Sequence, residues 1–331
     1  MTLSPRRGRS AIATVIEEPP SPFLDPEARP VDPGKFRDPL VTAKDEPRAH
    51  VGLERLETLW INTGTLCNLT CKTCYIESSP TNDALVYLTL AEAEGYLDEA
   101  ERMGTREIGF TGGEPFMNRD MIAMMQSALR RGFDVLVLTN AMRPMRRFEA
   151  ELVEMARASR DRLTMRVSLD HYTRGTHEAE RGTGTWDKAV DGLKWLSRNG
   201  FRLAVAGRLL PGQSEAEERA GYARLFDELG VMVEGGLVLF PEMDAAADVP
   251  EISEACWGIL GVSPSTMMCA TSRMVVKAKG AARPHVVACT LLPYDEQFAM
   301  GETLAEARRE VRLNHPHCAR FCVLGGASCS G

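Results

Sequence analysis

The chain has 331 residues, 44% of them hydrophobic and 26% charged, with a formal net charge of −7. This ordinary globular composition allows one large core or a core plus a smaller unit, and the acidic balance argues against a general nucleic-acid binder. Its longest apolar runs, such as "DVLVLTN" and "GLVLF", fall far short of the roughly 20 residues that cross a bilayer, so the expectation is a cytoplasmic protein with neither nucleic-acid nor membrane partners.

Nine of the 19 prolines lie in the first 50 residues, mixed with Arg, Asp and Glu and without an apolar period; residues 1–50 therefore read as a disordered, Pro-rich arm. The twin arginine in "SPRRGRSAIATVIEEPPSP" is followed by too short an apolar stretch for a signal peptide. From residue 51 the text alternates short β-rich runs with longer amphipathic ones. Strands are expected at Glu57–Thr63, Glu107–Thr111, Asp134–Asn140, Leu163–Asp170, Arg202–Leu210 and Gly236–Phe240. Capping boxes at Thr89–Glu92 and Ser214–Glu217 open two of the intervening helices, and Gly132, Gly200 and Gly230 close three others. Six β-α units without a dinucleotide fingerprint suit either a partial (β/α) barrel or a doubly wound sheet. The alternation is lost after about residue 245, giving a core at 51–245 and a separate tail unit at 246–331.

The nine cysteines cluster in two groups, a pattern that suits metal sites better than a disulfide framework. In "CNLTCKTCY", Cys67, Cys71 and Cys74 stand on a loop after the first strand, with no fourth ligand nearby. Three thiolates can hold a [4Fe-4S] cube and leave one iron open to a small molecule. A second motif, "FTGGEP", ends the second strand: Gly112 and Gly113 permit close backbone approach, Glu114 offers a carboxylate and Pro115 stiffens the turn. Further on, "VLTN" ends in Asn140, and "RVSLD" places Ser168 and Asp170 on one face of a strand end.

CxxxCxxC after the first strand followed by GGEP after the second resembles the signature of the radical S-adenosylmethionine (SAM) superfamily. The resemblance implies an α/β fold, a partial (β/α)6 TIM-like barrel, with a [4Fe-4S] cluster on Cys67, Cys71 and Cys74. It implies SAM held near Gly112, Gly113, Glu114, Pro115, Asn140, Ser168 and Asp170. It also implies reductive cleavage of SAM to a 5′-deoxyadenosyl radical that abstracts hydrogen from substrate, with the electron coming from an external donor of the flavodoxin or ferredoxin type. The superfamily often has Gly after Thr-Asn, where this chain has Ala141, and Arg208 is the one residue near the fifth strand expected to face the site.

The tail carries Cys269, Cys289, Cys318, Cys322 and Cys329. A β-rich stretch between the first two predicts a hairpin that brings their thiols together. This group resembles the SPASM and twitch extensions, which implies a small C-terminal extension binding one auxiliary [4Fe-4S] cluster; zinc is the competing metal, given His315 and His317 nearby. Cys256 is expected as a buried free thiol, and His171 and His177 on a surface loop after the fourth strand. The expected activity is an oxidative modification of a peptide or small molecule. The alternative is a non-catalytic iron-sulfur or zinc-binding redox or sensor protein, for which an intact GGEP motif would be superfluous. No residue is singled out as a catalytic acid or base.

Overall fold

The computed structural model describes residues 34–210, 212–241 and 248–326. The six expected strands form one parallel run: β1 (Thr58–Asn62), β2 (Glu107–Thr111), β3 (Asp134–Thr139), β4 (Leu163–Ser168), β5 (Arg202–Leu209) and β6 (Leu237–Pro241). Each pairs in parallel with the next. Helices cross between them: α1 (Leu90–Arg102), α2 (Met121–Arg130), α3 (Glu149–Ser159), α4 (Arg174–Arg181), α5 (Trp186–Arg198) and α6 (Glu215–Leu229). This is the partial TIM-like barrel arrangement, and it places the strand C-termini, where the sequence motifs fall, at one mouth.

β1 is buried along its whole length, as expected of a parallel strand covered on both faces. Trp60 fills the barrel interior with no exposure. The neighbouring strand accommodates the indole only because residue 109 is glycine, since a Cβ there would lie 2.4 Å from the ring. α1 starts with the full capping box, Thr89 and Glu92 bonding reciprocally. Ser214 caps α6 by position, but its side chain makes no capping bond, so the second expected box does not form. Gly230 ends α6 at φ +63°, and Gly132 and Gly200 also adopt positive φ.

The tail does not stand apart from the barrel. β7 (Ser272–Val276) pairs parallel with β1, Thr58 opposite Ser272, and β8 (His285–Val287) folds back antiparallel on β7 as the expected hairpin. β9 (Ala299–Gly301) completes a nine-stranded sheet. Both chemistry-bearing groups are thereby built on one rigid scaffold.

Of the arm expected to be disordered, residues 34–50 are laid onto the body. Phe36, Ala49 and Arg48 are buried. The Arg48 guanidinium donates to the carbonyls of Asp38 and Val41 at 2.7 Å and pairs with Glu251. His50–Val51 forms a small antiparallel pair with Val311–Arg312. Compositional polarity hid this strap because its anchoring is ionic: a buried arginine satisfied by a carboxylate and carbonyls replaces an apolar stripe. The rest of the arm lies outside the described residues.

Candidate active site

The loop of Cys67, Cys71 and Cys74 leaves β1 at the mouth and is clamped from several directions. Lys72 N donates to the carbonyl of Glu180 at the end of α4 (2.9 Å), Thr73 Oγ1 to the Glu180 carboxylate (3.1 Å), and Arg208 Nη2 to the Thr73 carbonyl (2.9 Å). Backbone amides of Leu69 and Ser78 point at the sulfurs of Cys67 and Cys74, at 3.4 and 3.3 Å. Burial pushes the Cys67 thiol up to about 12. Burial also raises Cys71, against the opposing pull of Arg181.

The GGEP turn braces that loop. Gly113 N donates to the Gly64 carbonyl at 2.9 Å and Glu114 N to the Leu66 carbonyl at 3.2 Å. A Cβ on Gly113 would stand 2.3 Å from the Leu66 oxygen, and one on Gly112, already at φ +139°, 2.5 Å from the Gly64 oxygen. The two glycines are thus required by the thiol loop itself. Glu114 is buried away from the cavity mouth. Its carboxylate accepts bonds from Thr139 Oγ1 (2.9 Å), Asn140 N (2.8 Å) and Phe116 N (3.3 Å), stitching the turn to the end of β3. Burial raises its carboxyl to about 7 in spite of these donors. Pro115 opens a short 3-10 turn beneath it.

One cavity collects these elements. It is lined by Cys67, Cys71, Cys74, Gly112 and Gly113, by Thr139, Asn140, Ser168 and Asp170 at the strand ends, and by Arg181 and Arg208. Asp170 makes a bidentate pair with Arg181 (2.8 and 2.9 Å) and lies 3.7 Å from Arg208. Burial works to raise Asp170, but the two guanidiniums outweigh it and hold the carboxyl below its ordinary value. Among the described residues, three buried polar atoms on lining residues have no partner: Trp60 Nε1, Ser78 Oγ and Arg208 Nη1. A buried donor without a partner costs roughly 1–3 kcal/mol, so a lining with three of them suits a ligand rich in acceptors. The donor set fits a three-thiolate cluster together with a polar small molecule.

Sequence reasoning missed Arg181, which the end of α4 swings over the thiol loop, because an arginine in a polar helical turn carries no distinguishing local signal. It also placed His171 and His177 on a surface loop, and both are buried. The chain turns directly from β4 into inward-packed α4. His171 stacks on Tyr172 and lies 3.3 Å from Glu218, while His177 packs edge-on against Trp186. Cys256 sits half-buried on α7 (Ala255–Leu260), 3.6 Å from Ser253 Oγ and outside both cavities.

The tail hairpin brings Cys269 and Cys289 together with Cys318 and Cys322 around a second cavity, otherwise walled by apolar side chains and His317. Cys329 lies outside the described residues. Cys318 and Cys322 share a π-helix, Cys318–Val323, a rare geometry that recurs at functional sites. Burial pushes Cys269 up to about 11 and Cys318 well above the ordinary thiol range.

Arg273, with no exposure, donates only to carbonyls, among them those of Cys269 (2.5 Å) and Ala307 (2.9 Å), and makes no ion pair among the described residues. A buried cation calls for an anion, which thiolates on a metal would supply; four thiols are the donor set that one auxiliary cluster or a zinc ion would use. Among the described residues no three His, Cys, Asp or Glu converge tightly enough to hold a single metal ion. No helix among them is long and apolar enough to cross a membrane.

Comparison with known proteins agrees with this geometry. The Radical SAM superfamily profile matches residues 61–222. Mycofactocin maturase MftC of Mycobacterium tuberculosis (strain H37Rv) is 30% identical over 135 residues, 41% of this chain and 33% of that protein. The antilisterial bacteriocin subtilosin biosynthesis protein AlbA of Bacillus subtilis (strain 168) is 29% identical over 141 residues, 42% of this chain and 30% of that protein. The chain thus spans about a third of the length of these curated relatives. Among solved structures, Streptococcus suis SuiB bound to S-adenosylmethionine superposes with a TM-score of 0.56 at 13% identity, covering 75% of this chain and 63% of that one. Native anSMEcpe with bound AdoMet gives 0.53 at 13% identity, covering 76% and 79%.

Proposed function

We propose that this chain, whose residues 61–222 match the Radical SAM superfamily, is a radical SAM enzyme that modifies a peptide oxidatively. The observation that carries the reading is the single cavity in which three thiols, the GGEP turn and three unpartnered buried donors meet. A [4Fe-4S] cluster and SAM held here would supply one-electron cleavage of the sulfonium and hydrogen-atom abstraction from substrate.

The protein's own work is placement. Cys67, Cys71 and Cys74 would hold three irons of the cluster and leave the fourth for SAM. Glu114 fixes the turn and the end of β3 in register rather than meeting the ligand directly. Arg208 Nη1 is the free cationic donor for the methionine carboxylate. Ser168 and Asp170 face the same space, with Asp170 kept ionised by Arg181 and available to ribose hydroxyls. The electron enters from an external flavodoxin- or ferredoxin-type donor.

A peptide substrate follows from the maturases the chain is similar to and from the solved complex of SuiB with its precursor peptide SuiA. Oxidation is favoured because Leu291 lines both the SAM cavity and the tail thiol cavity. A substrate radical at that wall is thus one side chain from an electron acceptor. Anaerobic reconstitution with iron and sulfide, then dithionite and SAM, is expected to yield 5′-deoxyadenosine and methionine; a cluster-loaded protein that yields neither overturns the reading in favour of a non-catalytic redox or sensor protein.

A further inference from the structure

The SAM cavity has two unlike faces. The strand ends and the thiol loop contribute its polar groups. Tyr75 and Ile76 just after Cys74, Phe240 on β6, and Leu291 and Phe321 from the tail form an apolar wall. Phe321 packs edge-on to Tyr75 at 5.4 Å and stacks on Phe240 at 5.6 Å. The one hydroxyl in this wall is spent, since Tyr75 donates to the Pro241 carbonyl at 2.9 Å. The cavity's cations are two, Arg181 and Arg208. Arg181 is held by Asp170, and the Arg208 guanidinium carbon lies over the Tyr75 ring, 4.2 Å from its centre.

With Arg181 held by Asp170 and Arg208 Nη1 assigned to the methionine carboxylate, a second anion such as a phosphate or carboxylate pressed against this wall would lose its water without gaining a cation. An aliphatic or aromatic side chain gains instead by removing its apolar surface from water there. Resting on the radical-generating reading above, we propose that the substrate group presented to the radical is an uncharged, apolar side chain, selected by Leu291 and Phe321. The tail contributes two residues of the wall, Leu291 two residues after Cys289 and Phe321 between Cys318 and Cys322. The segments that hold the tail thiols thereby also shape the substrate pocket.

The test uses the full chain with its clusters, SAM and dithionite. The probes are N-acetyl methylamides of leucine and phenylalanine with deuterated side chains, against those of aspartate and lysine and against ribose-deuterated guanosine triphosphate. In each productive event a probe C–D bond breaks homolytically, deuterium ends on the 5′-methyl of 5′-deoxyadenosine, and the carbon radical left behind is reduced by dithionite and protonated by solvent. Deuterium transfer is expected at least tenfold higher from the apolar probes. Leu291→Asp should cut transfer from the leucine probe about tenfold and Leu291→Ile should restore it, with iron content confirming that both variants load.

Equal or greater transfer from the charged probes, or 5′-deoxyadenosine without deuterium from either apolar probe, overturns the proposal on the unaltered chain alone. Absence of 5′-deoxyadenosine altogether overturns the radical-generating reading and this proposal with it.

Discussion

The two thiol sites of this chain are built on opposite plans. At the barrel mouth three cysteines on one short loop edge a cavity of about 170 Å³, with Cys71 and Cys74 only half-buried. In the tail four cysteines drawn from three separate segments enclose about 20 Å³ among apolar side chains. The first has room beside its thiols and polar groups in its lining, while the second is small, walled by apolar side chains and has the buried Arg273 beside it. Ligand count and access thus separate a site that admits a second molecule from one suited to exchanging electrons.

The largest way to break this contrast is to remove the mouth thiols. Cys67/Cys71/Cys74→Ala should reduce 5′-deoxyadenosine formation to the background rate and lower iron from about eight to about four per chain, the tail cube surviving; liquid chromatography and iron assay check both. The mirror experiment, Cys269/Cys318→Ala, should leave about four irons and keep SAM cleavage while abolishing modified product. Loss of SAM cleavage there would mean that the two sites are not separable.

Stability of the shared scaffold comes next. Arg48→Met strips a buried pair from Glu251 and a 3.4 Å bond to the Leu313 carbonyl, both fully or nearly buried. Leaving the carboxylate uncompensated should cost about 3–5 kcal/mol, read as a lower thermal midpoint. A smaller, selective effect is expected of Arg273→Met: a lower midpoint potential for the tail cluster in an EPR-monitored titration and none for the mouth cluster, with Arg273→Lys in between. The smallest belongs to Cys256→Ser, which lies outside both cavities and should change neither iron content nor 5′-deoxyadenosine yield, and shift stability by less than about 1 kcal/mol.

Much of this was legible in the sequence because it is written in local patterns. All six barrel strands fall within about two residues of their expected limits, since alternating β-rich and amphipathic runs are a short-range signal. The thiol loop and GGEP stand where their spacing placed them. Illegible were relations that only packing creates. Arg181 meets Asp170 because α4 folds back over the loop. Phe240 and Phe321, about 80 residues apart, meet because β7 joins β1 at the sheet's other side. Nor did the sequence show that the Glu114 carboxylate accepts from Thr139, Asn140 and Phe116, so that it also braces its turn against the end of β3. Ala141 adopts φ +59° fully buried, a conformation that favours the glycine common in the superfamily, so the chain keeps that backbone at a modest strain.

The central claim, that three thiols at the barrel mouth leave an iron for SAM while the four tail thiols do not, is tested most directly by pulsed EPR with SAM labelled with nitrogen-15 in its amino group. The account predicts a nitrogen hyperfine coupling on the reduced cluster that persists in Cys269/Cys318→Ala and vanishes in Cys67/Cys71/Cys74→Ala. A coupling that survives loss of the mouth thiols, or that is absent from the fully loaded protein, would contradict it.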